Sequence, residues 1–283
     1  MIWLALSILC SCTIYLIFKK ASQQLSNMFP MVVFNYAVCC LLGGILAWHT
    51  QQFQMVNSKM LTATSLLGIL FISSFYLVAL TTKFHGISLT SMVTRISLVL
   101  PFVAFLIIDN ESPTNLQIAG VALSVLAILI STASRKKSIE IHQKWLPVIV
   151  FLAYGLVDIL LKLARDTSSH AAEHILSWLI FTTAGIIGVA VLLVRKASIQ
   201  KEHLFWGLVL GLVNYGSIYF FLQALKHINL KAAVIFPLNG TAILVLSSLL
   251  SVIIFNEKIN RQKLLGICLA CVAIFLLYFR ANG

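Results

Sequence analysis

The chain has 283 residues, of which 60% are hydrophobic and 10% are charged, and its mean hydropathy is +1.00. A soluble domain carries charge on about a quarter of its residues, so this composition excludes that class of protein. The net charge of +12 does not require a nucleic-acid partner, because loops of membrane proteins carry Lys and Arg that set their orientation. We therefore predict a protein whose first partner is the lipid bilayer, with no nucleic acid bound.

Ten apolar runs follow one another with short connections. A transmembrane helix needs about 20 mostly apolar residues, and in lipid the backbone polar groups must be satisfied within the segment. We therefore predict an all-α integral membrane protein with ten transmembrane helices. No cleavable signal is expected, because the first run has a counterpart in the sixth. The runs lie at 2–18, 29–48, 61–82, 86–108, 114–133, 145–162, 172–194, 203–225, 231–255 and 263–279.

The two halves of the chain carry the same pattern. An Asn-Glu pair followed by Gly nine residues on occurs twice, as Asn110-Glu111…Gly120 and Asn256-Glu257…Gly266. Since each copy holds five helices, an odd number, the second copy enters the membrane from the opposite side. We predict two inverted five-helix repeats, at 1–133 and 145–283, joined by a basic connecting loop at 134–144. Such repeats usually enclose a solute pathway at their interface.

On these residues the chain resembles the ten-helix drug/metabolite transporter superfamily, specifically its EamA-type transporters. Asn35-Tyr36 and Gly155-x-x-Asp158-x-x-x-Lys162 also look like patterns in part of that group. The resemblance covers the whole chain and implies a central cavity between the repeats and alternating access without ATP hydrolysis. Members of the group export or exchange amino acids, other small metabolites, nucleotide sugars or triose phosphates.

Arg95 stands near the middle of the fourth predicted helix, where an Arg costs about 2.5–3.5 kcal/mol on insertion scales. Its guanidinium suits a carboxylate or phosphate, so Arg95 either anchors an anionic group of the substrate or forms a buried pair with Asp158. Asp158 is an acidic residue located well inside a predicted span. It takes a coupling proton, binds a substrate amine, or neutralises Arg95 or Lys162, which follows at i+4.

The uncharged candidates for substrate contact are polar or aromatic residues within the predicted spans. For any single one of them, a polar link between helices is the favoured role, whereas as a group they would orient a polar molecule. They are Tyr15, Asn35, Tyr36, Tyr76, Trp178, Asn214, Tyr215, Tyr219 and Asn239. Lys20 and Lys162 recur at equivalent span ends, where they either reach the interface or gate the cavity as a pair of cations.

Several other features favour structural roles. Gly207-x-x-x-Gly211 is typical of close helix packing, and Glu111 and Glu257 are expected to build turns. His170 and His174 have metal-ligand spacing, but we assign them to a helix end in water. We predict no metal and no cofactor. The protein is not expected to be an enzyme, because His-Glu-x-x-His and Gly-x-Ser-x-Gly motifs are missing from the sequence.

The sequence as a whole indicates a secondary transporter, an exporter or exchanger, of a small polar metabolite, with an amino acid or related carboxylate as the first choice. An exchanger of phosphorylated metabolites or nucleotide sugars is the alternative, and a non-transporting receptor or scaffold subunit is the alternative of another class. Coupling to a proton or to a counter-substrate stays open, as does the choice between monomer and homodimer. We expect a multi-pass protein of the bacterial inner membrane, and the Lys/Arg bias places both termini outside the cytoplasm.

Overall fold

The computed structural model describes residues 1–21, 23–51, 53, 56–110, 113–132, 145–166, 173–228, 230–255 and 261–279. Within these residues the chain forms ten α-helices and no strand. Six candidate spans in this part are long and apolar enough to cross a membrane, and four further apolar helices are shorter. The predicted fold class, an all-α integral membrane protein, is confirmed. The helices are α1 Ile2–Ala21, α2 Phe29–His49, α3 Ser58–Ile96, α4 Val99–Ile108, α5 Asn115–Thr132, α6 Trp145–Asp166, α7 Glu173–Arg195, α8 Lys201–His227, α9 Ala232–Phe255 and α10 Arg261–Phe279.

The boundary between the third and fourth helices lies later than the sequence indicated. We predicted a break at 83–85, but α3 continues to Ile96 and α4 begins at Val99. Pro101 explains this position, because its ring clashes with the carbonyl four residues earlier and its nitrogen cannot donate. The N–H of Leu100 instead bonds the oxygen of Ser97 at 2.9 Å, which is the tighter turn of a 3₁₀ helix.

The chain divides into two compact units. Unit 1 comprises Met1–Ser73 and Leu160–His227, and unit 2 comprises Ser74–Ile159 and Ile228–Gly283. Unit 1 therefore holds α1, α2, α7 and α8, whereas unit 2 holds α4, α5, α9 and α10; α3 and α6 each contribute to both. Each unit takes helices from both predicted repeats, whose boundaries remain a prediction.

In unit 1, the equivalent helices α2 and α7 run antiparallel. A Cβ added to Gly43 would lie 3.1 Å from Cβ of Trp178, and one added to Gly185 would lie 3.7 Å from Cβ of Tyr36. Gly43 is equivalent to Gly185, and Tyr36 to Trp178, at the offset of 142 residues seen in the sequence. The same contact is therefore made twice, as a two-fold relation between the helices requires.

A further contact locates the two-fold axis that relates α2 to α7. Cys40 Sγ lies 3.1 Å from Thr182 Oγ1, and these two residues are 142 positions apart. A residue that touches its own equivalent must lie on the axis relating the copies. A local pseudo-two-fold axis therefore passes between α2 and α7 at these side chains.

Unit 2 shows the same antiparallel relation between α4 and α9. The rings of Phe105 and Phe236 have centroids 5.2 Å apart, and Cδ2 of Leu98 lies 3.6 Å from a Cβ built on Gly240. Later residues on α4 thus meet earlier residues on α9. Equivalent helices that run in opposite directions are what inverted repeats demand.

Helices α2 and α8 approach closely at the predicted small-residue motif. A Cβ on Gly211 would lie 2.6 Å from Cβ of Val38 and 2.9 Å from the carbonyl oxygen of Asn35. Distances this short leave no room for a methyl group. Lipid tails provide little hydrophobic drive for helix association, so such close contact contributes much of the packing energy.

We therefore expect Gly211→Ala to lower the free energy of unfolding by about 1–3 kcal/mol, the usual cost of overpacking. Thermal unfolding of the purified protein in detergent measures this. Gly185→Ala is the matched control, since its nearest contact is an ordinary 3.7 Å and Ala favours a helix over Gly by about 0.5–1 kcal/mol. Equal destabilisation by both variants would contradict the packing assigned here.

Candidate functional site

Three aromatic rings form a stack between α7 and α8 in unit 1. Tyr215 and Tyr219 are one turn apart and share a face of α8. The His174 ring lies parallel to that of Tyr219, with centroids 4.6 Å apart and planes 12° apart. Its Nδ1 lies 2.7 Å from Tyr215 Oη. We call these residues the histidine–tyrosine stack.

Polar and charged groups extend the stack toward one end of the unit. Gln223 Nε2 donates to Tyr219 Oη at 3.0 Å. Glu173, the neighbour of His174 in the chain, accepts an ion pair from Lys226 Nζ at 2.8 Å. The Glu173 side chain is only 10% exposed and that of Lys226 is 28% exposed. The first turn of α7 is therefore tied to the last turn of α8 by a shielded ion pair beside a stacked imidazole.

The predicted residues of α2 join α2 to its neighbours in unit 1. The side-chain oxygen of Asn35 accepts from Asn214 Nδ2 at 3.1 Å, and its amide donates to Val32 O at 3.4 Å. Tyr36 stacks on Phe181 with ring centroids 6.0 Å apart. Asn35 is 1% exposed and uses both ends of its amide, so it acts as a link between α2 and α8.

Unit 2 holds the other predicted polar residues. Arg95 is half-buried, with Nη2 3.4 Å from Ser247 Oγ on α9. On the same helix, Asn239 Oδ1 and Thr241 Oγ1 are buried and have no hydrogen-bond partner in the described part of the chain. A buried polar atom left unpaired costs about 1–3 kcal/mol, so this stretch of α9 retains unused capacity for hydrogen bonding. Asp158 and Tyr76 are half-buried residues of this unit as well.

Comparison with known proteins shows a family resemblance in the second half of the chain. Residues 145–279 match the model of the EamA-like transporter family. A protein of Haemophilus influenzae, described as uncharacterized, is 26% identical over 98% of this chain and 97% of its own length. A solved crystal structure aligns with a TM-score of 0.77 at 12% identity, covering 99% of this chain and 96% of that one, which shows the fold alone.

Proteins of this family are membrane transporters of the drug/metabolite superfamily, and the candidate membrane spans of this chain agree with a multi-pass membrane protein. EamA-like proteins are transporters rather than enzymes, in agreement with the sequence analysis. Among the described residues, no three His, Cys, Asp or Glu side chains are grouped so as to hold a metal ion. The described geometry therefore provides hydrogen-bonding, aromatic and charged groups that could contact a solute.

The two lysines predicted as gating cations differ in their surroundings. Lys162 is buried, and its Nζ lies 2.9 Å from Asp166 Oδ2. This ion pair points one turn forward along α6. Lys20 is exposed at the end of α1. The transporter therefore neutralises one of these lysines within its own helix.

The remaining predicted residues lie apart from the stack. Tyr15 is 44% exposed. Trp178 covers the glycines of α2, with Nε1 2.9 Å from a Cβ built on Gly44, and it meets the edge of Phe53 at 5.0 Å. Trp178 is thus a packing residue at the local axis. Four earlier expectations fall outside the described residues, those for Glu111, Glu257, His170 and the connecting loop at 134–144.

The sequence analysis named Tyr215 and Tyr219 as candidates but assigned His174 to a helix end in water. The structure instead places it half-buried against Tyr215 and Tyr219. The spacing of the two tyrosines was a usable signal, since it predicts one aromatic face on α8. Which residue of another helix covers that face is not encoded in spacing.

The ion pair between α7 and α8 yields a test. We expect Lys226→Met to lower the free energy of unfolding by about 1–3 kcal/mol, because it leaves the shielded Glu173 carboxylate unpaired. Thermal unfolding of detergent-purified protein measures the loss. The double variant Glu173→Gln/Lys226→Met should recover most of it, since the charge needing a partner is gone. A double variant as unstable as Lys226→Met would argue against pairing as the cause.

Proposed function

We propose that the protein is a secondary transporter, an exporter or exchanger, for a small polar metabolite with a carboxylate group, foremost an amino acid. The observation that carries the proposal is Arg95, a guanidinium within the helices of unit 2. Its Nη2 lies 3.4 Å from Ser247 Oγ on α9, so this arginine stands beside the polar stretch of that helix. A planar guanidinium binds a carboxylate through two parallel hydrogen bonds.

Other groups of unit 2 suit the remainder of such a substrate. Asp158 supplies a negative charge for the amine of an amino acid. Asn239 Oδ1, buried and without a partner among the described residues, offers an acceptor for a further N–H or O–H group. These unsatisfied groups also weigh against a receptor or scaffold, which would gain nothing from polar atoms left unpaired in a span.

A carboxylate is favoured over a phosphate by the state of the lysines. A phosphate carries about two charges and calls for more than one cation. Lys162 is already paired with Asp166, and Lys20 is exposed. We therefore place the exchanger of phosphorylated metabolites or nucleotide sugars second. Transport proceeds by alternating access, driven by a proton or a counter-substrate, in a monomer or a homodimer.

We expect Arg95→Gln to weaken binding of anionic and zwitterionic solutes roughly ten- to a hundredfold, because one charge-assisted contact contributes about 1.5–3 kcal/mol. Counterflow in proteoliposomes loaded with labelled amino acids, carboxylates and sugar phosphates measures this. Arg195→Gln, which removes an exposed arginine from the last turn of α7, is the matched control. Undiminished exchange by Arg95→Gln would assign Arg95 to structure instead.

The location of the protein is part of the same proposal. We expect residence in the bacterial inner membrane with both termini outside the cytoplasm, because more Lys and Arg residues follow the odd-numbered predicted helices. Alkaline phosphatase fused after Gly283 should be active, since the enzyme works only outside the cytoplasm, and a green fluorescent protein fusion at that site should be dark. The opposite pair of signals would reverse the orientation.

A further inference from the structure

The histidine–tyrosine stack has a chemistry that the proposed contacts of Arg95 do not use. We propose that His174 is the proton-binding group of this transporter, and that its protonation loosens the contact of α7 with α8 and so couples solute movement to protons. This inference rests on the proposed function and names its coupling ion.

His174 forms a hydrogen bond with Tyr215, and the direction of this bond depends on protonation. Imidazole is the side chain that ordinarily changes charge between pH 5 and 8. In neutral imidazole one nitrogen accepts and the other donates, whereas both donate after protonation. If Nδ1 accepts from the Tyr215 hydroxyl across their 2.7 Å contact, protonation reverses the bond and the hydroxyl must turn away. Stacking on Tyr219 holds the ring at this place.

The charged side chains next to the His174 ring balance one another. Glu173 and Lys226 neutralise one another at 2.8 Å, so the cluster carries no net charge while His174 is neutral. A protonated His174 adds a positive charge next to the Glu173 carboxylate and competes with Lys226 for it. Two contacts join the first turn of α7 to α8, the hydrogen bond to Tyr215 and the ion pair of Glu173 with Lys226. Both contacts therefore weaken when one proton binds.

Two neighbouring helices, α2 and α3, bring exposed titratable groups toward this end of α7. Helix α2 runs antiparallel to α7, so its last turn lies near the start of α7 and presents His49. Helix α3 runs parallel to α7, because Gly68 meets Ile180 and a later residue meets Gly188, and its first turn presents Lys59. Both side chains are exposed. The described contacts thus place four titratable groups beside His174 or its neighbour in the chain, namely Glu173, Lys226, Tyr215 and Tyr219.

The consequence follows from linkage. If the protonated and neutral forms of His174 favour different arrangements of α7 and α8, then each arrangement has its own proton affinity, and the coupling is reciprocal. A proton gradient can then drive solute movement, and solute movement can move protons. Asp158 is free under this scheme to bind the substrate amine.

The test uses proteoliposomes holding the full chain, a labelled amino-acid mixture as the probe, and a pH-sensitive dye in the lumen. The ratio of net transport at pH 5.5 to that at pH 7.5 departs several-fold from one when a proton-binding imidazole changes charge in this range. We expect this departure in the wild type, together with a proton signal that accompanies the solute. His174→Gln should retain counterflow, but its ratio should fall to about one and its proton signal should vanish.

Two further variants sharpen the result. His49→Gln removes an exposed histidine and should behave as the wild type does. Tyr215→Phe keeps His174 and removes only its hydroxyl partner, so it should shift the midpoint of the pH profile without abolishing it. The same pH ratio and proton signal in wild type and His174→Gln would overturn the proposal, as would a Tyr215→Phe profile identical to the wild type if His174→Gln does not fold.

Failure of the proposed function would look different. If the wild type exchanges no probe at all, transport of these solutes is refuted and proton binding is decided by NMR of labelled histidines in lipid nanodiscs. A resonance that His174→Gln removes, and that titrates between pH 5 and 8 with a midpoint displaced by Lys226→Met, would uphold His174 as the proton-binding group. A His174 resonance that does not titrate would refute it.

Discussion

The hydrocarbon of a bilayer cannot hydrogen-bond to a peptide group, and this constraint underlies every feature of the protein. It requires the backbone to satisfy itself within helices, and it removes most of the hydrophobic drive that would hold those helices together. What remains is close contact and side-chain hydrogen bonding. Accordingly, α8 approaches α2 at Gly211 and joins α1 through Ser217, which accepts a hydrogen bond from Ser7 at 3.0 Å.

The two-fold relation between α2 and α7 gives unit 1 its internal order, but the polar groups do not obey it. Asn35 and Tyr36 have Ser177 and Trp178 as their equivalents, so an amide is matched by a hydroxyl and a phenol by an indole. The backbone contacts repeat, whereas the chemistry is carried by one copy only. Asn35 links α2 to α8, whereas Trp178 covers the glycines of α2, so equivalent positions have taken different structural tasks.

Unit 2 concentrates a different chemistry. Arg95 and Asp158 bring opposite charges, and α9 offers Asn239 and Thr241 with acceptor atoms that the described residues leave unpaired. In unit 1, by contrast, the Glu173 and Lys226 charges are paired, and His174 adds an imidazole beside them. The two proposals, for solute contact and for proton binding, therefore concern separate units.

The sequence predicted features that depend on a single segment, such as the helices. It did not predict contacts that depend on which side chains lie nearby in the folded protein. The apolar runs predicted helices because span length and backbone satisfaction are properties of a single segment. Lys162 shows the limit, since acids stand at both i−4 and i+4. Spacing alone does not choose between these acids, and the structure shows an ion pair of Lys162 with Asp166, whose side chain is 42% exposed and loses less hydration by ionising there.

The sequence by itself determined that the chain crosses the membrane, that its two halves are copies, and that the copies run in opposite directions, because hydropathy, repetition and an odd helix count are all written along one chain. Only the tertiary structure decided that helices of both copies combine into each compact unit, and that His174 covers the tyrosines of α8. Such contacts depend on which faces meet in three dimensions, and residues distant in sequence meet only after the helices have packed.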